Sequence, residues 1–101
     1  FEVAPGGYSS LERHEHPHAV VIVSGRGSVI LDDEVSELAP LDCVYVAPGT
    51  LHQFRAALDE PLGFLCIVDR ERDRPVAASP KDVERICKNP EIARLLGQAH
   101  R

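Results

Sequence analysis

Through residue 68 the chain alternates apolar and polar positions in short runs, each closed by turn residues. Phe1-Glu-Val-Ala4 alternates and ends at Pro5-Gly6-Gly7, a turn signal. Tyr8 to His14 forms the next extended piece. His18-Ala-Val-Val-Ile-Val23 is rich in β-branched residues and lacks alternation, the pattern of a strand buried on both faces. Ser24-Gly25-Arg26-Gly27 breaks that run and Ser28-Val-Ile-Leu31 answers it, which predicts a hairpin with glycine available for positive φ. Asp32-Asp33-Glu34 then turns the chain into Val35–Leu38. Ala39–Asp42 turns it into Cys43–Val46, Ala47–Thr50 into Leu51–Ala56, and Asp59-Glu60-Pro61 into Leu62–Val68. Short strands with turns at this spacing predict an all-β sandwich or barrel.

After Pro75 the period changes. Ser79-Pro80-Lys81-Asp82 supplies an N-cap serine, a proline for the first helical position and an acid at the third, and Val83, Ile86 and Cys87 recur at helical spacing. Asn89-Pro90-Glu91 repeats the start signal, with Ile92, Leu95 and Leu96 as an apolar stripe and Gly97 near the end. The expected organisation is a barrel over residues 1–74 and a helical extension over 75–101, packed on the outside of the barrel or across a dimer contact. Phe1 stands inside a strand pattern rather than being a Met, so upstream residues supplying a barrel strand or a dimer arm are expected.

Composition narrows the function classes. At 101 residues there is room for one core, built mostly from aliphatics because only two Tyr, three Phe and no Trp are present. The net charge of −5 and the lack of any Lys/Arg cluster free of acids argue against a nucleic-acid partner. No apolar run approaches a membrane span, and no basic segment followed by an apolar one opens the chain. Cys43, Cys66 and Cys87 are odd in number and widely spaced, which fits a reducing, cytoplasmic setting rather than a disulfide framework. Asp69-Arg-Glu-Arg-Asp-Arg74 alternates in sign and reads as a solvated, self-paired connector.

The chemistry concentrates in Leu11-Glu-Arg-His-Glu-His-Pro-His18. Imidazole with carboxylate is a donor mixture that divalent first-row metals accept readily. In a strand, Glu12 and His14 share a face while Arg13 points away. Were the extension to continue, residues 12 and 18 would lie roughly 20 Å apart at about 3.3 Å per residue, too far for one ion. Pro17 cannot donate to a ladder, so a bend near Glu15 to Pro17 is expected, bringing His18 back beside His14.

The spacing of these residues resembles that of the small single-domain cupins. Gly6 is followed by five residues, Glu12-Arg13-His14, three residues, His18, six residues and Gly25, which fits the first cupin motif throughout. Glutamate stands where that motif has its first histidine, and histidine where it has its glutamate. The second motif reads Leu41, five residues, Ala47-Pro48-Gly49, two residues, His52, three residues and Ala56. Its histidine and Pro-Gly turn are kept, whereas its leading glycine, its proline and its trailing asparagine are not. The resemblance covers about residues 1 to 68 and implies a small cupin-type β-barrel, a double-stranded β-helix or jelly roll, with the helices as a short C-terminal tail.

The resemblance further implies metal ligands Glu12, His14, His18 and His52, holding Mn, Fe, Ni, Co or Zn. His16 remains open between replacing Glu12 as a ligand, facing a substrate, and lying on the bend in solvent. Glu12 is alternatively a general base beside a three-histidine metal. His16 and Cys66 are the candidate catalytic residues, the latter as a thiolate nucleophile; a packed small hydrophobe is the commoner fate of a buried cysteine. Tyr45, Phe54 and Phe64 read as barrel lining. Cupins being diverse in chemistry, the implied function is a metal-dependent enzyme on a small, oxygen-rich metabolite, with dioxygenase, isomerase or lyase chemistry, and homodimerisation. Phe1–Gly7 and Leu62–Cys66 also look like bacterial cupins near the Mn-dependent methylthio-xylulose-phosphate methylsulfurylases, in which Cys66 would have a role. A non-catalytic metal or small-ligand binding module is the alternative of another class.

Overall fold

The computed structural model describes residues 1–99. Each extended run carries a strand: β1 (Glu2–Val3), β2 (Glu12–Arg13), β3 (His18–Gly25), β4 (Gly27–Leu31), β5 (Glu34–Leu38), β6 (Cys43–Val46), β7 (His52–Ala56) and β8 (Leu62–Val68). The C-terminal extension adds β9 (Val76–Ala77), α1 (Pro80–Ile86) and α2 (Pro90–Ala99). A four-stranded sheet in the order β1-β8-β3-β6 faces a five-stranded sheet in the order β5-β4-β7-β2-β9. Among the described residues all strand pairs are antiparallel. This is the all-β barrel that the pattern of short strands and turns predicts, of the jelly-roll type that the resemblance implies.

The core follows from pleating. Val20, Ile22 and Phe64 point inward from the first sheet, and Val29, Leu38 and Phe54 from the second, all buried. The Phe54 and Phe64 rings stack at 5.0 Å between the sheets. A second apolar layer lies outside the five-stranded sheet, where Ile86, Ile92 and Leu96 of the helices cover Ile30 and Leu51. Ser79 caps α1 as expected: its hydroxyl accepts from the Asp82 N–H, and the Asp82 carboxylate accepts from the Ser79 N–H. Asn89 does the same for α2, its Oδ1 accepting from the Glu91 N–H at 3.0 Å.

Several expectations are corrected. Gly25-Arg-Gly27 is not a hairpin: β3 pairs with β6 and β8, whereas β4 pairs with β5 and β7 in the other sheet. It is a corner where the chain changes sheets. Gly25, at φ 80°, sits there because a Cβ would run into the Pro61 carbonyl oxygen. Nor is β3 buried on both faces, since Val23 is 50% exposed. Tyr45, 63% exposed, lies outside the barrel rather than lining it. Its side chain takes the outward side of the pleat, between the inward Val44 and Val46.

Leu41, at the position of the second motif's leading glycine, has φ 77° and is 87% exposed. The departure from glycine therefore leaves the backbone shape intact, at a local strain of about 1 kcal/mol.

Candidate metal centre

Two stretches meet at one end of the barrel. The first leaves β2 at Arg13, bends at Glu15–His16 and enters β3 at His18, as Pro17 led one to expect. The second is the turn before β7. The Gly49 N–H donates to the His14 carbonyl at 2.9 Å, and Arg13 Nε donates to the Gly49 carbonyl at 3.3 Å. β2 and β7 pair with Glu12 opposite His52. The Pro-Gly turn of one motif is thus bonded to the histidine strand of the other.

His14, His18 and His52 converge, their ligand atoms all within 4.8 Å of one another. Each ring has its Nδ1 held from behind. His14 Nδ1 lies 2.7 Å from the His16 carbonyl and His52 Nδ1 2.8 Å from the Thr50 carbonyl. A carbonyl only accepts, so both Nδ1 atoms carry the proton and both Nε2 atoms keep a free lone pair. His18 Nδ1 lies 2.8 Å from Cys66 Sγ, and its Nε2 is buried with no partner. Leaving a buried nitrogen unpaired costs roughly 1–3 kcal/mol. A divalent ion would satisfy it, and three neutral imidazoles with Nδ1 bound behind them are a donor set that fits such an ion.

Burial and the neighbouring imidazoles of His52, His14 and His16 push His18 down to about 4. Burial lowers His52 as well, against the pull of the Thr50 carbonyl. Both rings therefore stay neutral, and able to coordinate, at pH 7.

Glu12 is placed beside this group but outside it: its Oε2 accepts from Ser10 Oγ at 2.9 Å, and it lines the cleft that opens onto His14 and His18. His16 is held in place. Its ring stacks on that of His14 at 3.8 Å and 4°, and its side chain is only 10% exposed. The hold comes from Asp73, whose Oδ1 takes the His16 N–H at 2.9 Å and Nδ1 at 2.8 Å, and whose Oδ2 takes the Glu15 N–H at 2.8 Å. These bonds, the one from Glu15 first, hold the Asp73 carboxyl well below the usual carboxylate range.

Asp73 corrects the reading of Asp69–Arg74 as a self-paired connector. The alternation in sign was visible in the sequence, but its partner fifty-seven residues upstream was not.

The cleft has a volume of about 380 Å³ and is lined by Glu12, His14, His16, His18, Cys66 and Arg72, among others. Burial pushes the Cys66 thiol up, opposed by the nearby Arg72. Cys66 thus faces the cleft while bonded to a candidate ligand, and Arg72, one of several arginines in a charged run with no signal to single it out, brings a cation to the same space.

The fold and this centre define a small jelly-roll barrel with an internal three-histidine, metal-competent site. Residues 1–68 match the cupin domain family, and the chain belongs to it. It is 46% identical over 96 residues to 1-methylthio-D-xylulose 5-phosphate methylsulfurylase of Rhodospirillum rubrum, covering 95% of this chain and 62% of that protein. Among solved structures, a cupin 2 domain-containing protein from Halorhodospira halophila superposes with TM-score 0.89 at 57% identity, over 93% of this chain and 66% of that one. A cupin-2 domain from R. rubrum gives 0.90 at 45%, over 95% and 65%. The chain therefore spans just under two thirds of the length of these relatives.

Proposed function

We propose that this barrel is a metal-dependent enzyme acting on a small, oxygen-rich metabolite, with His14, His18 and His52 holding a divalent ion through Nε2. The observation that carries the reading is the buried, unpartnered Nε2 of His18 within a cluster whose other rings are set in the matching tautomer. Mn, Fe, Co, Ni and Zn all accept such donors. When bound, the ion would supply a Lewis acid that polarises a chelating carbonyl or hydroxyl pair.

The remaining roles fall to the chain itself. Glu12, beside the group, serves as a fourth ligand or as a base. His16, one face covered by His14, moves a proton at the cleft.

A narrower reading follows from the placement of Cys66 and Arg72. The R. rubrum relative is named for a methylthio pentulose phosphate. A thiol facing the cleft suits the sulfur of such a substrate, and the Arg72 guanidinium suits its phosphate. Three free cysteines support the reducing, cytoplasmic setting that this thiol chemistry requires. Among the described residues no helix is long and apolar enough to cross a membrane.

The test is to load the protein with Mn²⁺ or Fe²⁺, supply 1-methylthio-D-xylulose 5-phosphate with a thiol, and follow loss of the methylthio group by NMR. Turnover that disappears in Cys66→Ala while metal is retained supports the narrower reading. Undiminished turnover in that variant removes Cys66 from the chemistry. A metal-loaded wild type inert on this substrate overturns the narrower reading, and a wild type that takes up no metal overturns both.

A further inference from the structure

A cation is buried on the far side of β7 from the histidines. Pleating turns His52 and Phe54 into the barrel and Gln53 and Arg55 out toward the helices. Arg55 is only 7% exposed, and no carboxylate among the described residues pairs with it. Charged side chains are almost never buried this far unless paired.

The guanidinium is nevertheless held in one pose. Its Nη1 donates to Gln53 Oε1 at 2.8 Å, Gln53 Nε2 donates in turn to the Ser9 carbonyl at 2.9 Å, and the Tyr8 ring covers one face with its centroid 4.7 Å from Cζ. That leaves the edge formed by Nε and Nη2, which has no acceptor among the described residues. Neither nitrogen is sealed in, since among those residues the buried, unpartnered side-chain atom is His18 Nε2 alone.

Arg55 lines a cleft of about 420 Å³, walled by the Arg26-Gly27 corner, the Ala57–Glu60 loop and Leu95 of α2. The walls are bonded to one another: the Ala57 N–H donates to the Arg26 carbonyl at 3.0 Å, and the Gly6 N–H to the Ala57 carbonyl at 2.7 Å. The cleft is therefore preformed. The register sets Arg55 opposite Ser28 and Ser28 opposite Glu37, so a cation, a hydroxyl and a carboxylate stand in one row along it.

The geometry points to a second binding site here, one that takes a small acid carrying a carboxylate and a neighbouring hydroxyl or amino group. The Nε–Nη2 fork donates two parallel bonds to a carboxylate. Ser28 and Glu37 supply acceptors for the donor group beside it. Burial works against the charge on Arg55 and Tyr8 opposes that pull, so a bound carboxylate brings the counter-charge that the described residues lack. A phosphate suits the row less well. Glu37, Asp59 and Glu60 line the cleft against Arg26 and Arg55, and Arg26 already faces Glu60 at 3.9 Å, so a dianion would meet more acids than bases.

The inference is independent of the metal reading, because Arg55 and His52 leave opposite faces of β7. The experiment is an NMR titration of the full, isotope-labelled chain, with Zn²⁺ added, against L-lactate, L-alanine, acetate and inorganic phosphate. Lactate or alanine should shift the Arg55 Nε–H and the Ser28 amide, and should bind about threefold more tightly than acetate. Arg55→Lys keeps the charge but not the fork and should weaken binding about tenfold, whereas Glu37→Gln should erase the preference over acetate. Glu37 is exposed, so if Arg55→Lys unfolds, Glu37→Gln decides. Shifts at His14 and His18 without shifts at Arg55 would place the acid on the histidines and overturn the inference. So would no shift at Arg55, unchanged affinity in a folded Arg55→Lys, an unchanged preference in Glu37→Gln, or phosphate binding more tightly than either acid.

Discussion

The two stretches that bring imidazoles to the centre are held by different means. His52 opens β7, a strand whose first four residues are all buried and whose ladder runs to β4 on one side and β2 on the other. His14 lies outside any strand, before a bend with no ladder of its own at Glu15–His16, and His18 follows the bend as the first residue of β3, opposite Val46 and Val68. That bend is held instead by the Asp73 carboxylate and by the bond from Gly49. A ligand on a central strand inherits its position from the sheet. A ligand at a bend, as His14 is, needs a separate clasp, and here the clasp comes from a remote, charged connector.

The largest effects should come from the ligands themselves. His14→Ala and His52→Ala each remove one of three donors, and metal affinity should fall more than the roughly 100-fold that outer partners of ligands are worth. Isothermal titration with Mn²⁺ or Zn²⁺ measures this. Next comes Asp73→Asn, which weakens the clasp on the bend but leaves β7 untouched. Affinity should fall about tenfold with an unchanged melting profile of the barrel. An Asp73→Asn protein with wild-type affinity would mean that the bend holds its shape unaided, and the contrast between the two stretches would collapse.

The pH dependence separates the stretches again. Arg13, beside His14, donates to both oxygens of Asp82 on α1 at 2.8 and 3.0 Å, and this pairing holds the Asp82 carboxyl below its ordinary 3.8. A carboxylate with a depressed folded value stabilises above its unfolded value and loses that contribution as pH falls toward the folded one. The stability advantage of wild type over Asp82→Asn should therefore be full at about pH 5 and shrink steadily below about pH 4. Chemical denaturation at a series of pH values checks it. An advantage that stays constant down to about pH 2 would show that the pair does not tie β2 to α1.

The smallest effect concerns the approach to the second stretch. Leu41→Gly should raise stability by about 1 kcal/mol by relieving a left-handed backbone, without altering metal binding. A destabilised glycine variant would show that the exposed Leu41 side chain contributes more than its backbone strain costs.

Local chemistry was legible in the sequence wherever it acts over a few residues. The Ser79 capping box, the Asn89 start, the bend at Pro17 and the same-face placement of Glu12 and His14 all follow from spacing and dihedral preference. The resemblance to the cupin motifs singled out the three imidazoles that converge together with Glu12, which lies outside their group. What was not legible depends on the partner of each strand. The run Gly25-Arg-Gly27 looks alike whether the next strand folds back in the same sheet or crosses to the other, and only the Pro61 carbonyl packed against Gly25 distinguishes them. The apolar run of β3 reads as doubly buried because a bare apolar face and a covered one share one pattern. Asp73 was hidden in a charged run because the groups it binds are backbone N–H groups of Glu15 and His16, which carry no sequence signal.

The central claim is that the Nε2 atoms of His14, His18 and His52 hold one divalent ion. Metal content measured on protein purified without chelator tests it most directly, compared across wild type, His14→Ala and His52→Ala. The account predicts one ion per chain in the wild type and loss of that ion in both variants. Stoichiometric metal retained in both variants would contradict it.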